Sequence, residues 1–175
     1  MTSLDNKIQL ITYPDSLGNN LKDLRYVLNT YLQEVVGGVH ILPFYPSSAD
    51  RGFAPLTHLE VDPEFGDWED IRAISQEYDL MVDLSANHIS KHSTYFQDFL
   101  EHGNKSIYAD MFLPLEKLFP NGVEQDKIDT IYRPRPKKPY VEVQCNDGTE
   151  RNVWVSFSPE QIDYDWNSPK TREVN

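Results

Sequence analysis

The side chains of this sequence best placed to bind a ligand follow a short apolar run, Leu80–Val82, and begin with the carboxylate of Asp83. Leu80–Val82 is too short for an ordinary helix and predicts a buried strand, which Asp83 follows directly. Polar side chains just beyond a parallel strand collect at the edge where ligands bind, so Asn87 and His88 are predicted to lie at the rim of a site. On this segment alone a plainer interpretation stays equally open, in which Asp83 caps a turn and His88 is an ordinary surface histidine.

The residues before this segment predict alternating strands and helices. Runs rich in β-branched and aromatic residues predict strands at Ile8–Tyr13, Val39–Phe44 and Leu80–Leu84. Between them, apolar residues at helical spacing predict two amphipathic helices, the first ending at Gly37-Gly38 and the second capped by Asp67. The order βαβαβ favours parallel pairing through right-handed crossovers, in either an open doubly wound sheet or a (β/α)8 barrel.

Beyond His88 this alternation stops. Ser93–His102 is compatible with a helix, and no βα alternation follows between residues 104 and 166. A hairpin is predicted there instead, with strands at Tyr140–Cys145 and Asn152–Phe157 joined by Asn146-Asp147-Gly148-Thr149. Ser168-Pro169 then predicts the start of another helix. The break in pattern indicates a small subdomain inserted after the third strand.

Composition limits the classes of function. The 175 residues carry a net charge of −12, which argues against a nucleic-acid partner because such proteins need a cationic surface. The single cysteine, Cys145, excludes an internal disulfide and fits a reducing cytosol, so a cytoplasmic location is predicted. We find no apolar leader after Met1 and no run near the ~20 apolar residues of a membrane helix, so neither is expected.

Other reactive residue types give weaker signals. His88 and His92 have helical spacing, but no third ligand lies at a suggestive spacing, so no metal is predicted. Cys145 lies in a predicted strand without an activating base, which disfavours a catalytic thiol. Gly37-Gly38 does not form a phosphate-binding loop, and no cofactor is predicted.

Several segments together, in this order along the chain, carry a family resemblance. They are Gln9–Tyr13, Gly38–Phe44, Asp50–Phe53, Asp62–Trp68, Met81–Asp83 with Asn87-His88, Ile131–Pro136 and Gln161–Asp163. Over essentially its whole length the chain resembles the N-terminal part of the sucrose phosphorylase family, in the α-amylase clan (glycoside hydrolase family 13). The resemblance implies an α/β fold that is the N-terminal portion of a (β/α)8 TIM barrel, strands 1–3, with an inserted domain B. It places barrel strands and helices at 1–88, the insertion at 89–166 and the start of barrel helix 3 at 167–175.

The resemblance also implies residues that bind the donor sugar. Asp50 is expected to accept hydrogen bonds from glucose hydroxyls, and Phe53 to form an apolar wall beside the sugar. His88 is expected to donate a hydrogen bond to a hydroxyl beside the reacting carbon, while Asn87 holds the loop and Asp83 is structural. Without the resemblance, Asp50 would be interpreted as a loop cap and Phe53 as a packing anchor.

Further residues are implied on the acceptor side. Arg135, with Arg133 beside it, is the candidate phosphate site, because a guanidinium fork matches phosphate oxygens and the neighbouring prolines stiffen the loop. The alternative is a pair of solvated charges. Phe157 and Gln161 correspond to positions that line the acceptor subsite in the family. Their alternatives are hairpin packing for Phe157 and surface exposure for Gln161.

The activity implied by the resemblance is retaining transfer of glucose from sucrose to inorganic phosphate, giving α-glucose 1-phosphate and fructose. Such chemistry needs two carboxyl groups about 5 Å apart. In the family they follow later strands, the first in an Arg-x-Asp-Ala segment, and none occurs before Asn175. The chain is therefore predicted to hold no catalytic residue and to be an N-terminal fragment without turnover of its own.

Several alternatives remain open from the sequence. Related enzymes phosphorolyse glucosylglycerol, glucosylglycerate or phosphorylated sucrose, and others hydrolyse. From a different class, the chain could be a sugar-binding remnant without catalysis. The expected partners are sucrose or a related α-glucoside and inorganic phosphate, with no nucleic acid, membrane or calcium. A homodimer is one assembly open to the full-length parent.

Overall fold

Two compact units make up the chain. In this computed structural model the described residues are 6–132 and 137–175. The first unit comprises the residues up to Phe53 together with Thr57–Leu84, and the second comprises Ala54–Leu56 and Ser85–Asn175.

A three-stranded parallel sheet is the centre of the first unit. Its strands are β1 (Ile8–Thr12), β2 (Val36–Ile41) and β3 (Asp79–Val82), in the order β1-β2-β3. Leu10, Val39 and Leu80 lie side by side in one row, and Ile11, His40 and Met81 form the next. Since successive residues of a strand point to opposite faces, the two rows belong to opposite faces of the sheet. The predicted βαβαβ order with parallel pairing is confirmed.

Two helices cover the face that carries Val39 and Ile41. Helix α1 (Leu21–Val27) begins at Asn20, whose side chain accepts a hydrogen bond from the Asp23 amide, and continues as a π-helical turn at Leu28–Leu32. Helix α2 (Trp68–Ser75) begins with a capping box between Asp67 and Asp70, as its sequence predicted. Their apolar faces build a core with the sheet: Leu21, Leu24, Leu28, Val39, Ile41, Ile71 and Ile74.

The prediction that the first helix ends at Gly37-Gly38 is wrong. Both glycines lie in β2, and the helical part has ended by Leu32. A Cβ atom at Gly38 would lie 2.9 Å from the carbonyl oxygen of Asp79 and closer still to the Gln9 side chain. The glycine is therefore needed for close packing within the sheet.

The prediction of a buried third strand is also wrong in part. Leu80 packs against the core, but Met81 is 61% exposed and Val82 41% exposed. Strand β3 lies at an edge of the sheet, and Ile11 in the same row as Met81 is 63% exposed. Within the described residues, nothing in the first unit covers this face.

Two antiparallel pairs and several short helices form the second unit. Strand β4 (His88–Ser90) pairs with β7 (Gln161–Asp163), and β5 (Tyr140–Gln144) pairs with β6 (Glu150–Trp154). The helices are α3 (Thr94–His102), α4 (Leu115–Leu118), α5 (Gln125–Asp129) and α6 (Pro169–Val174), with 3₁₀ turns at Gly103–Lys105 and Ala109–Met111. Ser93 caps α3 and Ser168 caps α6, so both predicted helix starts are confirmed.

The predicted hairpin exists, with a shifted second strand. Its strand β6 begins at Glu150 rather than at Asn152, because the turn Asn146–Thr149 pairs Gln144 directly with Glu150. Strand β4 was not predicted, because three residues are too few for a periodic pattern to be recognised.

Aromatic rings fill the core of the second unit. The ring centroid of Phe112 lies 4.9 Å from that of Phe96 and 5.5 Å from that of Phe99, and all three side chains are almost fully buried. The thiol of Cys145 is also buried. Among the described residues, no helix has both the length and the apolar character required to cross a membrane.

Candidate functional site

A cavity of about 310 Å³ opens at the carboxyl ends of β1 and β2 in the first unit. Tyr13 and Asp15 line it from the segment after β1, and Tyr45 lines it from the segment after β2. The turn Ser47–Gly52 forms a further part of the wall, and Pro43, Asp62 and Phe65 line the rest. Ligands of α/β proteins bind at the carboxyl ends of parallel strands, so the cavity is the first candidate site.

The wall of this cavity contains an unusual turn. Asp50 and Arg51 have φ angles of 57° and 49°, and Gly52 follows with 97°. Non-glycine residues in the left-handed region cost of order 1–3 kcal/mol each and tend to occur at functional sites. A Cβ atom at Gly52 would lie 2.7 Å from the Pro43 carbonyl oxygen, so only glycine fits the third position.

Asp50 lies on the cavity wall, and Phe53 does not. The Phe53 amide donates a hydrogen bond of 3.2 Å to the Asp50 carbonyl and so closes the turn. The Phe53 side chain is partly buried and is not among the residues that line the cavity. The two predicted residues are thus brought together by the backbone, but only Asp50 lines the cavity.

Arg51 links this turn to the segment after β1. Its Nη2 atom donates a 2.7 Å hydrogen bond to Oδ1 of Asp15, and its guanidinium carbon lies 4.1 Å from the centroid of the Tyr13 ring. The sequence argument did not single out Arg51, because its partners lie more than thirty residues away along the chain.

Asp83 lies directly after β3 and is paired within the first unit. Its Oδ2 atom lies 3.0 Å from Nε2 of His40, a residue of β2 on the face away from the helices. Burial raises the pKa of Tyr45, and the negative charge of Asp83 raises it further. These contacts are what a structural role of Asp83 requires. His40 was not singled out from the sequence as the partner of Asp83.

In the second unit, the structure brings His88 and Phe157 together. His88 begins β4, is only 5% exposed and lies opposite Asp163 of β7. Its ring centroid lies 5.1 Å from that of Phe157, whose side chain is 45% exposed. The interpretation of His88 as a surface histidine is therefore wrong. The carbonyl of Asn87 accepts a hydrogen bond from the Tyr164 amide, a contact that holds this segment in place.

The loop that carries Phe157 is held at both ends. Asp163 accepts hydrogen bonds from the Ser156 amide at 3.0 Å and from the Ser156 hydroxyl. Oε1 of Gln161 accepts a hydrogen bond of 2.7 Å from Ser158 Oγ. Gln161 is only 1% exposed, so the alternative of a surface position is wrong. Ser156 and Asp163, whose hydrogen bonds fix one end of this loop, were not singled out from the sequence.

Two further predictions concern ligands. Arg133 and Arg135, the candidate phosphate site, lie outside the described residues. In residues 6–132 and 137–175, no three His, Cys, Asp or Glu side chains are grouped as metal ligands would be.

Comparison with known proteins places the chain in a family. The family profile described as alpha amylase, catalytic domain, matches residues 12–174. The chain belongs to the alpha-amylase family. Its parallel strands and helices are accordingly the N-terminal part of a (β/α)8 barrel, and the predicted fold class is confirmed.

Among alpha-amylase family members, curated phosphorylases are similar to this chain. It is 51% identical to the sucrose 6(F)-phosphate phosphorylase of Thermoanaerobacterium thermosaccharolyticum, over 98% of this chain and 36% of the relative. It is 50% identical to the glucosylglycerol phosphorylase of Marinobacter adhaerens, over 94% of this chain and 34% of the relative. It is 47% identical to the sucrose phosphorylase of Streptococcus mutans, over 91% of this chain and 34% of the relative. The chain thus spans about a third of the length of these relatives.

Solved structures agree with this placement. The crystal structure of sucrose 6F-phosphate phosphorylase from Thermoanaerobacter thermosaccharolyticum matches with a TM-score of 0.94 at 49% identity, over 99% of this chain and 36% of that one. Isomaltulose synthase from Erwinia rhapontici matches with a TM-score of 0.73 at 19% identity, over 95% of this chain and 31% of that one. This similarity shows a shared fold alone.

Proposed function

We propose that this chain provides the donor-sugar-binding part of a retaining α-glucoside phosphorylase of the sucrose phosphorylase type. The observation that carries the proposal is Asp50, presented to a cavity at the carboxyl ends of β1 and β2 by a turn of left-handed residues. The phosphorylases similar to the chain support this choice within a family that includes other activities. The reaction is glucosyl transfer from sucrose to inorganic phosphate, giving α-glucose 1-phosphate and fructose.

The donor side is proposed to use three residues. Asp50 accepts hydrogen bonds from glucose hydroxyls, since a carboxylate is a strong acceptor for them. His88 donates a hydrogen bond to a glucose hydroxyl beside the reacting carbon. Phe53 forms an apolar wall. This role is assigned from the family resemblance alone, because the Phe53 side chain does not line the cavity.

The acceptor side is proposed to use Phe157, Gln161 and Arg135. The half-exposed ring of Phe157 offers an apolar surface. Gln161 acts through Ser158, because its own side chain is buried. Arg135 is assigned to phosphate from the family resemblance and from the chemistry of its guanidinium group. We also propose that residues 89–166 are the inserted domain B, between barrel segments at 1–88 and 167–175.

The chemical steps are proposed to depend on carboxyl groups outside this chain. One attacks the anomeric carbon to form a glucosyl-enzyme, the other protonates the fructose oxygen, and phosphate then attacks the intermediate in place of water. The role of the present residues is to bind and orient glucose. The location in the cytoplasm and the homodimer stay predictions for the parent protein.

Isolated, this chain is expected to bind glucose weakly and to release no α-glucose 1-phosphate. Calorimetric titration with glucose and an assay with sucrose and phosphate measure the two properties. The proposal is contradicted if the activity that releases glucose 1-phosphate copurifies with the chain. Reading the coding sequence past the codon for Asn175 adds an independent test: an in-frame Arg-x-Asp-Ala segment supports a phosphorylase, and a stop supports a sugar-binding remnant.

A second candidate is a phosphorylase for another α-glucoside. The identities to the sucrose 6(F)-phosphate and glucosylglycerol phosphorylases are 51% and 50%, which are too close to separate the two. A hybrid enzyme, in which this chain replaces the matching segment of the Thermoanaerobacterium relative, allows the acceptors to be compared directly. Sucrose, its 6F-phosphate, glucosylglycerol and glucosylglycerate are the substrates to compare, with hydrolysis measured as free glucose.

A further inference from the structure

The turn on the cavity wall needs something to hold it in place. Asp50, Arg51 and Gly52 follow one another with φ angles of 57°, 49° and 97°. Only the third residue is a glycine, so the first two adopt a conformation that their side chains disfavour. Such a conformation persists where surrounding contacts determine it. The contacts that hold Asp50 are therefore part of how its carboxylate is presented.

Two contacts of the turn involve its backbone. The Phe53 amide donates to the Asp50 carbonyl, and Gly52 packs closely on Pro43. Both contacts lie at the end of the turn. Neither of these two contacts involves the side chain of Asp50 or of Arg51.

The Arg51 side chain supplies an anchor from a different element. Its guanidinium donates to the Asp15 carboxylate at 2.7 Å and lies 4.1 Å from the Tyr13 ring centroid, so two different interactions orient one planar group. Tyr13 and Asp15 both follow β1, whereas Arg51 belongs to the segment after β2. All three residues line the same cavity as Asp50. The side chain therefore ties together two loops that form the cavity wall.

We propose that Arg51 is a positioning residue: clamped by Asp15 and Tyr13, it holds Asp50 in its left-handed conformation and so fixes the carboxylate in the cavity. The part of this proposal that concerns sugar rests on the proposed function, because it assigns glucose to Asp50. The part that concerns the backbone does not. Exposed ion pairs alone contribute little, so the position of the guanidinium over the Tyr13 ring is the second interaction on which this anchor depends.

The test compares Arg51→Ala and Arg51→Lys in the 175-residue chain by nuclear magnetic resonance. A strong intraresidue contact between the amide and α protons marks a positive φ at Asp50. Arg51→Ala is expected to weaken this contact and to speed exchange of the Phe53 amide at least about tenfold. Arg51→Lys keeps a cation within reach of Asp15 and is expected to give an intermediate result.

Arg72→Ala is the matched control, because Arg72 is an exposed arginine of the same unit that pairs with Glu69 on its own helix. It is expected to leave both readouts at Asp50 and Phe53 unchanged. An Arg51→Ala variant that keeps the positive φ of Asp50 and the protection of Phe53 overturns the proposal, whether or not the chain binds sugar.

Glucose titration separates this proposal from the proposed function. If the unchanged chain does not bind glucose, this result counts against the proposed function. The role of Arg51 is then decided by the φ of Asp50 and the exchange of the Phe53 amide. Where the chain binds, Arg51→Ala is expected to lower the affinity about tenfold in the presence of Asp50 and to have no further effect beside Asp50→Asn. Equal losses in both backgrounds contradict an action through Asp50.

Discussion

Asp50→Asn is expected to lower kcat/KM of the hybrid enzyme for phosphorolysis by about 10²–10³-fold. The substitution replaces a charged acceptor of sugar hydroxyls by a neutral amide of the same size. Asparagine tolerates the left-handed conformation of position 50, whereas alanine would add backbone strain to the loss of the carboxylate. The unfolding temperature is therefore expected to stay within about 2 °C. Steady-state kinetics and thermal unfolding measure the two effects.

The control for this variant is Glu60→Gln, which neutralises an exposed acid in the same long loop. It is expected to change kcat/KM by less than about twofold. A fall of less than about fivefold for Asp50→Asn, with the hybrid enzyme folded, would show that Asp50 is the loop cap of the plainer interpretation.

Phe112→Ala is expected to destabilise the second unit by about 3–5 kcal/mol. Phe112 is fully buried, and its ring contacts those of Phe96 and Phe99 across 4.9 and 5.5 Å. The substitution loses the transfer free energy of the Phe112 ring. It also leaves an empty space in the core, so the neighbouring rings lose their contacts with Phe112. Urea unfolding of the chain, followed by hydrogen exchange of α3 amides, reports the loss within this unit.

Ile107→Ala is the matched control in the same unit, because Ile107 is 68% exposed. Its effect is expected to stay within about 0.5 kcal/mol. A loss below about 1 kcal/mol for Phe112→Ala would mean that the aromatic cluster does not form the core of this unit.

Local signals predicted much of the fold. Asp67, Ser93 and Ser168 begin helices where their sequence context indicated, because a cap satisfies backbone amides within the next turn. The Asn146–Thr149 turn predicted the hairpin for a similar reason. In each case the deciding interaction joins residues a few positions apart.

Contacts between distant residues were not predictable in this way. Gly38 was interpreted as a helix end. The structure instead requires a glycine there because Gln9 of β1 and Asp79 of β3 lie too close for a side chain. The pairing of His88 with Asp163 and the clamp of Arg51 by Asp15 likewise join distant parts of the chain. No periodic pattern records them.

The candidate site was predicted by resemblance more than by pattern. Asp50 lies in a polar loop whose composition suits a cap as well as a ligand, and only the family motif favoured the ligand. Gln161, whose side chain is buried, was likewise assigned to a subsite by the family resemblance alone. Its Oε1 atom accepts a hydrogen bond from Ser158, which links it to the loop of Phe157.

The most direct test of the central claim is an assay of the hybrid enzyme for phosphate-dependent release of α-glucose 1-phosphate. The claim is that this chain supplies the donor-binding part of a phosphorylase barrel. The account predicts that a folded hybrid enzyme forms glucose 1-phosphate from sucrose or its 6F-phosphate and that Asp50→Asn suppresses this release. A folded hybrid enzyme that yields only free glucose, or no product from any of the four α-glucosides, would contradict it.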